Sequence, residues 1–146
     1  MYRHVLLAYD GTREGACALR QGAELAQATG AEVTLLAVIP ARPGVLIAEA
    51  VGGDLLGHEQ ELYGEVLELG LELLAKRGLR AEGKIAYGIA IDEIVKTARA
   101  VGADLIVVGH RRKGRLAQWW SGSVGGTLLA QAPCSLLIAV EEGESA

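Results

Sequence analysis

Residues 28–38 read ATGAEVTLLAV, and residues 100–109 read AVGADLIVVG. Each segment has the order glycine, alanine, acidic residue, and an apolar run of strand length follows. Glycine tolerates the left-handed conformation in which helices often end, and continuous apolar runs are typical of strands buried on both faces. The two segments therefore predict the same joint twice, a helix end that leads directly into a strand of a parallel sheet.

Apolar and amphipathic segments alternate outward from these joints over the whole chain. We predict strands at Arg3–Tyr9, Glu32–Ile39, Leu79–Tyr87, Asp104–Gly109 and Cys134–Val140. We predict helices at Thr12–Thr29, Asp54–Arg77, Ile91–Val101 and Gly122–Gln131. The third strand is the most polar and is expected at an edge. Because parallel strands need a right-handed helical crossover, the alternation predicts an α/β fold, a doubly wound five-stranded parallel sheet with helices on both faces.

The second predicted helix carries a leucine-rich stripe of the kind that amphipathic helices bury, formed by Leu55, Leu62, Val66, Leu69 and Leu73. Its glutamates are expected on the solvent-exposed face of the helix: Glu59, Glu61, Glu65, Glu68 and Glu72.

Length and composition indicate one domain, residues 1–141, followed by a short acidic tail, residues 142–146. The apolar runs are too short to cross a membrane, and MYRHVLLAYDG lacks the apolar region of a secretory signal, so we expect a cytoplasmic protein. A net charge of −4 argues against nucleic-acid binding. Cys17 and Cys134 are expected to be reduced, and the three histidines lack metal-ligand spacing.

Ligands of open α/β sheets bind beyond the carboxyl ends of the strands. The first strand ends at Ala8, Tyr9 and Asp10, the second at Val38, and the fourth at Val108 and Gly109. The fourth predicted helix begins near Gly122-Ser123, so its free N–H groups would face the same region, and its early glycines would let phosphates approach the backbone. These strand and helix ends predict an anion-binding crevice.

The stretch GHRRKGRLAQWWSGSV, residues 109–124, carries a basic cluster in an acidic protein. The cluster is formed by Arg111, Arg112, Lys113 and Arg115. It is either a solvated loop or a cradle for phosphate, and its place between a strand end and a glycine-rich helix start favours the cradle. Trp119 and Trp120 would pack this loop or stack on a base. No nucleophile and base set and no phosphate loop of the Walker type is present, so we expect at most slow hydrolysis of a bound ligand.

Nearly the whole chain resembles the universal stress protein family. The resemblance rests on Asp10-Gly11-Thr12 after the first strand, on the GADLIVVG strand, on a final APC-plus-apolar strand, and on Gly122-Ser123 thirteen residues after Gly109. ATP-binding members of that family carry G-x-x-G, nine residues, then G-[ST]. Gly109, Gly122 and Ser123 match this motif, whereas Arg112 replaces its second glycine.

The resemblance implies the strand order 3-2-1-4-5 of the adenine nucleotide alpha hydrolase-like folds and a crevice between the first and fourth strands. It also implies an ATP-binding regulatory protein, with or without Mg²⁺, that pairs as a homodimer through Cys134–Val140. A last strand buried within the monomer is the alternative to that dimer. Adenosine would contact Ala8, Asp10, Val38, Val108 and Gly109, and phosphates would lie along Arg111, Arg112, Gly122, Ser123, Val124 and Gly125.

Three of these residues have a second interpretation. Arg112 either clasps the phosphates or fills their site, in which case the protein is an interaction module that binds no nucleotide. Asp10 either binds the ligand, or Mg²⁺, or caps the first helix. Ser123 can donate to phosphate and cap its helix at the same time.

Overall fold

The computed structural model describes residues 1–41, 51–53, 55–109 and 128–140. Strands and helices alternate through them: β1 (His4–Ala8), α1 (Arg13–Thr29), β2 (Glu32–Pro40), α2 (Leu55–Lys76), β3 (Ala81–Gly88), α3 (Ala90–Val101), β4 (Leu105–Gly109), α4 (Leu128–Gln131) and β5 (Ser135–Ala139). The predicted elements are confirmed with ends that differ by a few residues. The predicted start of the fourth helix at Gly122 and the tail lie outside the described residues.

The strands form one parallel sheet in the order β3-β2-β1-β4-β5. In the register at its centre, Val5 of β1 lies between Val33 of β2 and Leu105 of β4. The expected fold class and strand order are therefore confirmed, with β3 at one edge. β5 pairs with β4 and forms the other edge.

The core lies in two apolar layers, one on each face of the sheet. Val5, Leu7 and Leu35 belong to the layer that includes residues of α1 and α2, and Leu6 and Leu36 belong to the layer that includes Ile94 of α3. Successive side chains of a strand point to opposite faces, so neighbouring residues of β1 and β2 are buried on different sides. This double burial explains why these strands are continuously apolar.

The glycines that the sequence places at helix ends adopt the left-handed conformation. Gly30 follows α1 with φ of 67°, Gly78 follows α2 with φ of 80°, and Gly102 follows α3 with φ of 70°. The N–H of Gly30 donates to the Ala26 carbonyl, which satisfies a group that the end of the helix would leave free. Both joints predicted from the repeated pattern are confirmed.

The predicted stripe of α2 is confirmed only in part. Val66 and Leu73 pack against the core, whereas Leu62 and Leu69 are 48% and 49% exposed and Leu67 and Leu74 are buried instead. The helix lies close to the sheet at Gly70, where an added Cβ would lie 2.6 Å from Leu35 and 2.9 Å from Tyr9. The leucine pattern alone does not identify this face, because one of its positions is a glycine without a side chain.

The expectation that Glu59 lies on the solvent-exposed face of α2 is wrong, because its side chain is buried. The other four glutamates of that group are exposed, as expected: Glu61, Glu65, Glu68 and Glu72.

Candidate functional site

The carboxyl ends of β1, β2 and β4 meet the first turns of α1 and α3 around a cavity of about 50 Å³. It is lined by Ala8, Tyr9, Asp10, Gly15, Leu36, Val38, Ala90, Ile94 and Gly109. Four of the predicted adenosine contacts are among them, namely Ala8, Asp10, Val38 and Gly109. Residues that are far apart in the sequence therefore line one cavity, at the end of the sheet where an α/β fold binds ligands.

The other predicted site residues do not line this cavity in the described structure. Val108 is fully buried and packs in the apolar layer that contains Leu6 and Ile94. The remaining predicted contacts lie outside the described residues: Arg111, Arg112, Gly122, Ser123, Val124 and Gly125.

Asp10 is held by the residue that caps α1. Its Oδ1 accepts a hydrogen bond from the Thr12 backbone N–H at 3.0 Å and another from the Thr12 hydroxyl at 2.5 Å. Thr12 is the N-cap, and its Oγ1 accepts from the backbone N–H of Gly15 at 3.1 Å. Asp10 therefore supports the cap through Thr12, which is compatible with a contact to a ligand because Asp10 also lines the cavity.

The first turn of α1 lies very close to two walls of the cavity. A Cβ atom added to Gly15 would lie 2.6 Å from Oδ1 of Asp10, and one added to Gly109 would overlap the Glu14 carbonyl group. Real Cβ atoms do not approach other atoms so closely. Glycine at position 109 is therefore a condition for the close approach of α1 to the end of β4, and glycine at position 15 leaves room for the Asp10 carboxylate.

Tyr9 forms part of the cavity wall and is largely withdrawn from water. Its side chain belongs to the buried core, and its backbone N–H donates to the Leu36 carbonyl at 2.9 Å. Burial, together with the neighbouring Asp10 carboxylate, raises the pKa of the Tyr9 hydroxyl. The hydroxyl therefore stays protonated at neutral pH and can act as a donor.

The cavity is small compared with a complete ligand site. Its volume of about 50 Å³ is on the scale of one or two water molecules, whereas pockets for drug-sized ligands span about 300–1,000 Å³. A ligand of that size would therefore need space beyond this cavity.

Several lining residues were not expected from the sequence, namely Gly15, Leu36, Ala90 and Ile94. Gly15 had a usable signal, because a glycine in the first turn of a helix lowers its stability and needs a reason to be there. Ala90 and Ile94 carry no such signal, since only the docking of α3 on the sheet brings its first turns to the cavity.

Two features are absent from the described part of the chain, a membrane-spanning helix and a metal-binding cluster. The described helices include none that is long and apolar enough to cross a membrane. The same residues contain no group of three His, Cys, Asp or Glu side chains that could hold a metal ion.

Comparison with known proteins agrees with this architecture. Residues 1–139 match the model of the universal stress protein family. The universal stress protein YxiE of Bacillus subtilis is 32% identical, over 94% of this chain and 99% of its own. The solved structure of the hypothetical protein MJ0577 matches with a TM-score of 0.79 at 23% identity, covering 99% of both chains.

A universal stress protein solved in complex with cAMP has the same fold, with a TM-score of 0.68 at 22% identity, covering 94% of this chain and 96% of its own. The family model spans almost the whole chain, and the Bacillus relative matches over nearly its full length. The chain therefore belongs to the universal stress protein family.

Proposed function

We propose that this protein is a regulatory protein that binds ATP, with or without Mg²⁺, in a single domain formed by residues 1–141. The observation that carries the proposal is that Ala8, Asp10, Val38 and Gly109 line one cavity at the carboxyl end of the sheet. Adenosine would enter there, with Val108 behind the cavity wall. The phosphates would extend to Arg111, Arg112, Gly122, Ser123, Val124 and Gly125.

The chemistry of the cavity suits a nucleoside. Ala8, Leu36, Val38 and Ile94 offer apolar contacts for the faces of a base, and Asp10 offers an acceptor for an N–H or O–H group. The basic cluster and the glycines near Ser123 supply charge and backbone N–H groups for phosphate. A relative that was solved with cAMP supports an adenine nucleotide as the ligand.

The regulatory output we propose is carried by a cytoplasmic homodimer formed through Cys134–Val140. β5 is an edge strand, and its Leu136, Leu137 and Ile138 are only partly buried within one chain. An apolar edge strand favours pairing with a second copy. Sedimentation should give a dimer, and Leu137→Lys should shift it toward the monomer while Lys84→Glu, on the opposite edge, should not. A monomer for the unmodified protein would refute this part of the proposal.

Calorimetric titration of the folded, nucleotide-free protein tests the ligand. We expect saturable binding of ATP with Mg²⁺, tighter than the binding of AMP and GTP. Gly122→Val should abolish it, since the added side chain would obstruct the approach of the phosphates. Gly64→Ala is the control, because no atom of the described residues lies within 4 Å of a Cβ added at that position of α2. Unchanged affinity in Gly122→Val would contradict the placement of the phosphates.

Arg112→Gly separates the two interpretations of the departure from the family motif. Weaker binding of ATP in this variant would identify the arginine as a phosphate clamp. If the unmodified protein binds no ATP and Arg112→Gly does, the arginine fills the site. The protein then acts as an interaction module without nucleotide.

A further inference from the structure

Thr12 connects the candidate ligand site to the first turn of α1. Its hydroxyl lies 2.5 Å from Oδ1 of Asp10 and 3.1 Å from the backbone nitrogen of Gly15. A hydroxyl has one hydrogen to donate, and the Gly15 N–H can only donate. The hydrogen of Thr12 therefore points to Asp10, and a lone pair of Oγ1 accepts from Gly15.

The backbone around Asp10 restricts its side chain further. The Thr12 N–H donates to the same Oδ1 at 3.0 Å. At position 15, a Cβ would lie 2.6 Å from that oxygen and 3.2 Å from the Tyr9 ring, so glycine is what leaves room for the carboxylate. The side chain of Asp10 is thus fixed by two donors and by close packing.

Both Thr12 hydrogen bonds use one carboxylate oxygen of Asp10, a residue that lines the cavity. A carboxylate only accepts hydrogen bonds, so it favours a ligand group that carries a proton. We propose that Thr12 is a positioning residue of the nucleotide site: by engaging Oδ1 twice, it keeps Oδ2 of Asp10 available to accept a hydrogen bond from a sugar hydroxyl of the ligand. This inference rests on the proposed function and adds to it a residue that sets its selectivity.

The test compares the affinities of ATP and of 2′,3′-dideoxy-ATP, which lacks both sugar hydroxyls. A hydrogen bond to a charged group corresponds to a preference for ATP of about tenfold to a hundredfold in the unmodified protein. Thr12→Val should reduce this preference to a few-fold, mainly by weakening ATP, and Thr12→Ser should retain it. Thr29→Val is the matched control, because its hydroxyl bonds the Leu25 carbonyl at the other end of α1.

Two further variants separate positioning from helix capping. Thr12→Asp keeps an acceptor for the Gly15 N–H, which preserves the cap, but as a carboxylate it has no proton to donate to Asp10. It should therefore fold and lose the preference for ATP. In the double variant Asp10→Ala/Thr12→Val, the threonine change should add nothing to the loss caused by Asp10→Ala alone, as expected for residues that act through one another.

The outcomes distinguish this inference from the proposed function. If the unmodified protein binds ATP and both Thr12→Val and Thr12→Asp retain the full preference, Thr12 only caps α1 and the positioning role is wrong. If the unmodified protein binds neither nucleotide, the proposed function fails and the inference fails with it. If Thr12→Val and Thr12→Asp both lose the preference for ATP over 2′,3′-dideoxy-ATP and Thr12→Ser retains it, the inference is supported.

Discussion

The backbone of Glu14 occupies the space that a side chain at position 109 would need, because a Cβ on Gly109 would overlap the Glu14 carbonyl group and lie 3.1 Å from the Gly15 nitrogen. β4 and α1 therefore meet backbone to backbone. Gly109 is required for this packing whether or not a nucleotide is bound, so its match to the ATP-binding motif has a structural explanation as well.

Gly109→Ala should accordingly destabilise the fold by about 1–3 kcal/mol, the usual cost of overpacking, because backbone cannot move aside as a side chain can. Gly64→Ala is the control, in an open position on α2, and should stabilise the protein by roughly 1 kcal/mol through helix propensity. Urea denaturation measures both free energies of unfolding. A neutral Gly109→Ala would contradict the close approach.

The corrected orientation of α2 can be tested by comparing two leucines of the same helix. Leu74 is fully buried, so Leu74→Ala should lower the free energy of unfolding by about 2–5 kcal/mol. Leu69 is 49% exposed, so Leu69→Ala should cost less than about 1 kcal/mol. If the two variants lost equal amounts of unfolding free energy, Leu69 would be buried as the sequence pattern suggested, and this orientation of α2 would be wrong.

Asp104 makes the stability of the sheet dependent on pH. Its carboxylate accepts hydrogen bonds from the backbone N–H groups of Arg3 at 2.8 Å and of His4 at 3.0 Å, and these bonds lower its pKa. A lowered pKa in the folded state stabilises the fold above the unfolded pKa, and this contribution is lost as the pH falls through the folded value.

Asp104→Asn should therefore be less stable than the unmodified protein at neutral pH, and the difference should shrink as the pH falls below the usual pKa of an aspartate and through the lowered value of Asp104. Thermal denaturation across this range measures the difference. A deficit of the same size at every pH would show that the charge of Asp104 does not contribute.

Cys17 and Cys134 should remain separate thiols. Cys17 contacts the carbonyl of Val140, just beyond the end of β5, whereas Cys134 directly precedes the start of that strand. The strand between them is about 16 Å long at its usual rise, more than twice the Cα separation that a disulfide allows. Mass spectrometry after mild oxidation and alkylation should find no intramolecular disulfide, and finding one would require that β5 leave the sheet.

The elements that the sequence predicted well are those whose local pattern matches their burial. Residues 33–39 are apolar except for Thr34 because β2 lies inside the sheet, and Gly30 and Gly102 end helices in the conformation that glycine favours. Asp10 and Val38 could be expected to lie close together because strand ends of a parallel sheet converge, and both line the cavity.

Contacts set by the docking of helices could not be predicted in this way. Ile94 lines the cavity because of the way α3 packs on the sheet. Glu59 is buried because of the way α2 packs. Neither side chain differs in type from its neighbours, so nothing in the local pattern identifies it.

The short joints between helices and strands have a consequence for how this chain can vary. The connections that enter β2, β3 and β4 are residues 30–31, 77–80 and 102–104, each with a left-handed glycine. An insertion there would shift a strand out of register. The stretches of sequence between β2 and α2 and between β4 and α4 are much longer, and Arg112 lies in the second of them. A change of length within either stretch would leave the strand order and the register of the sheet intact.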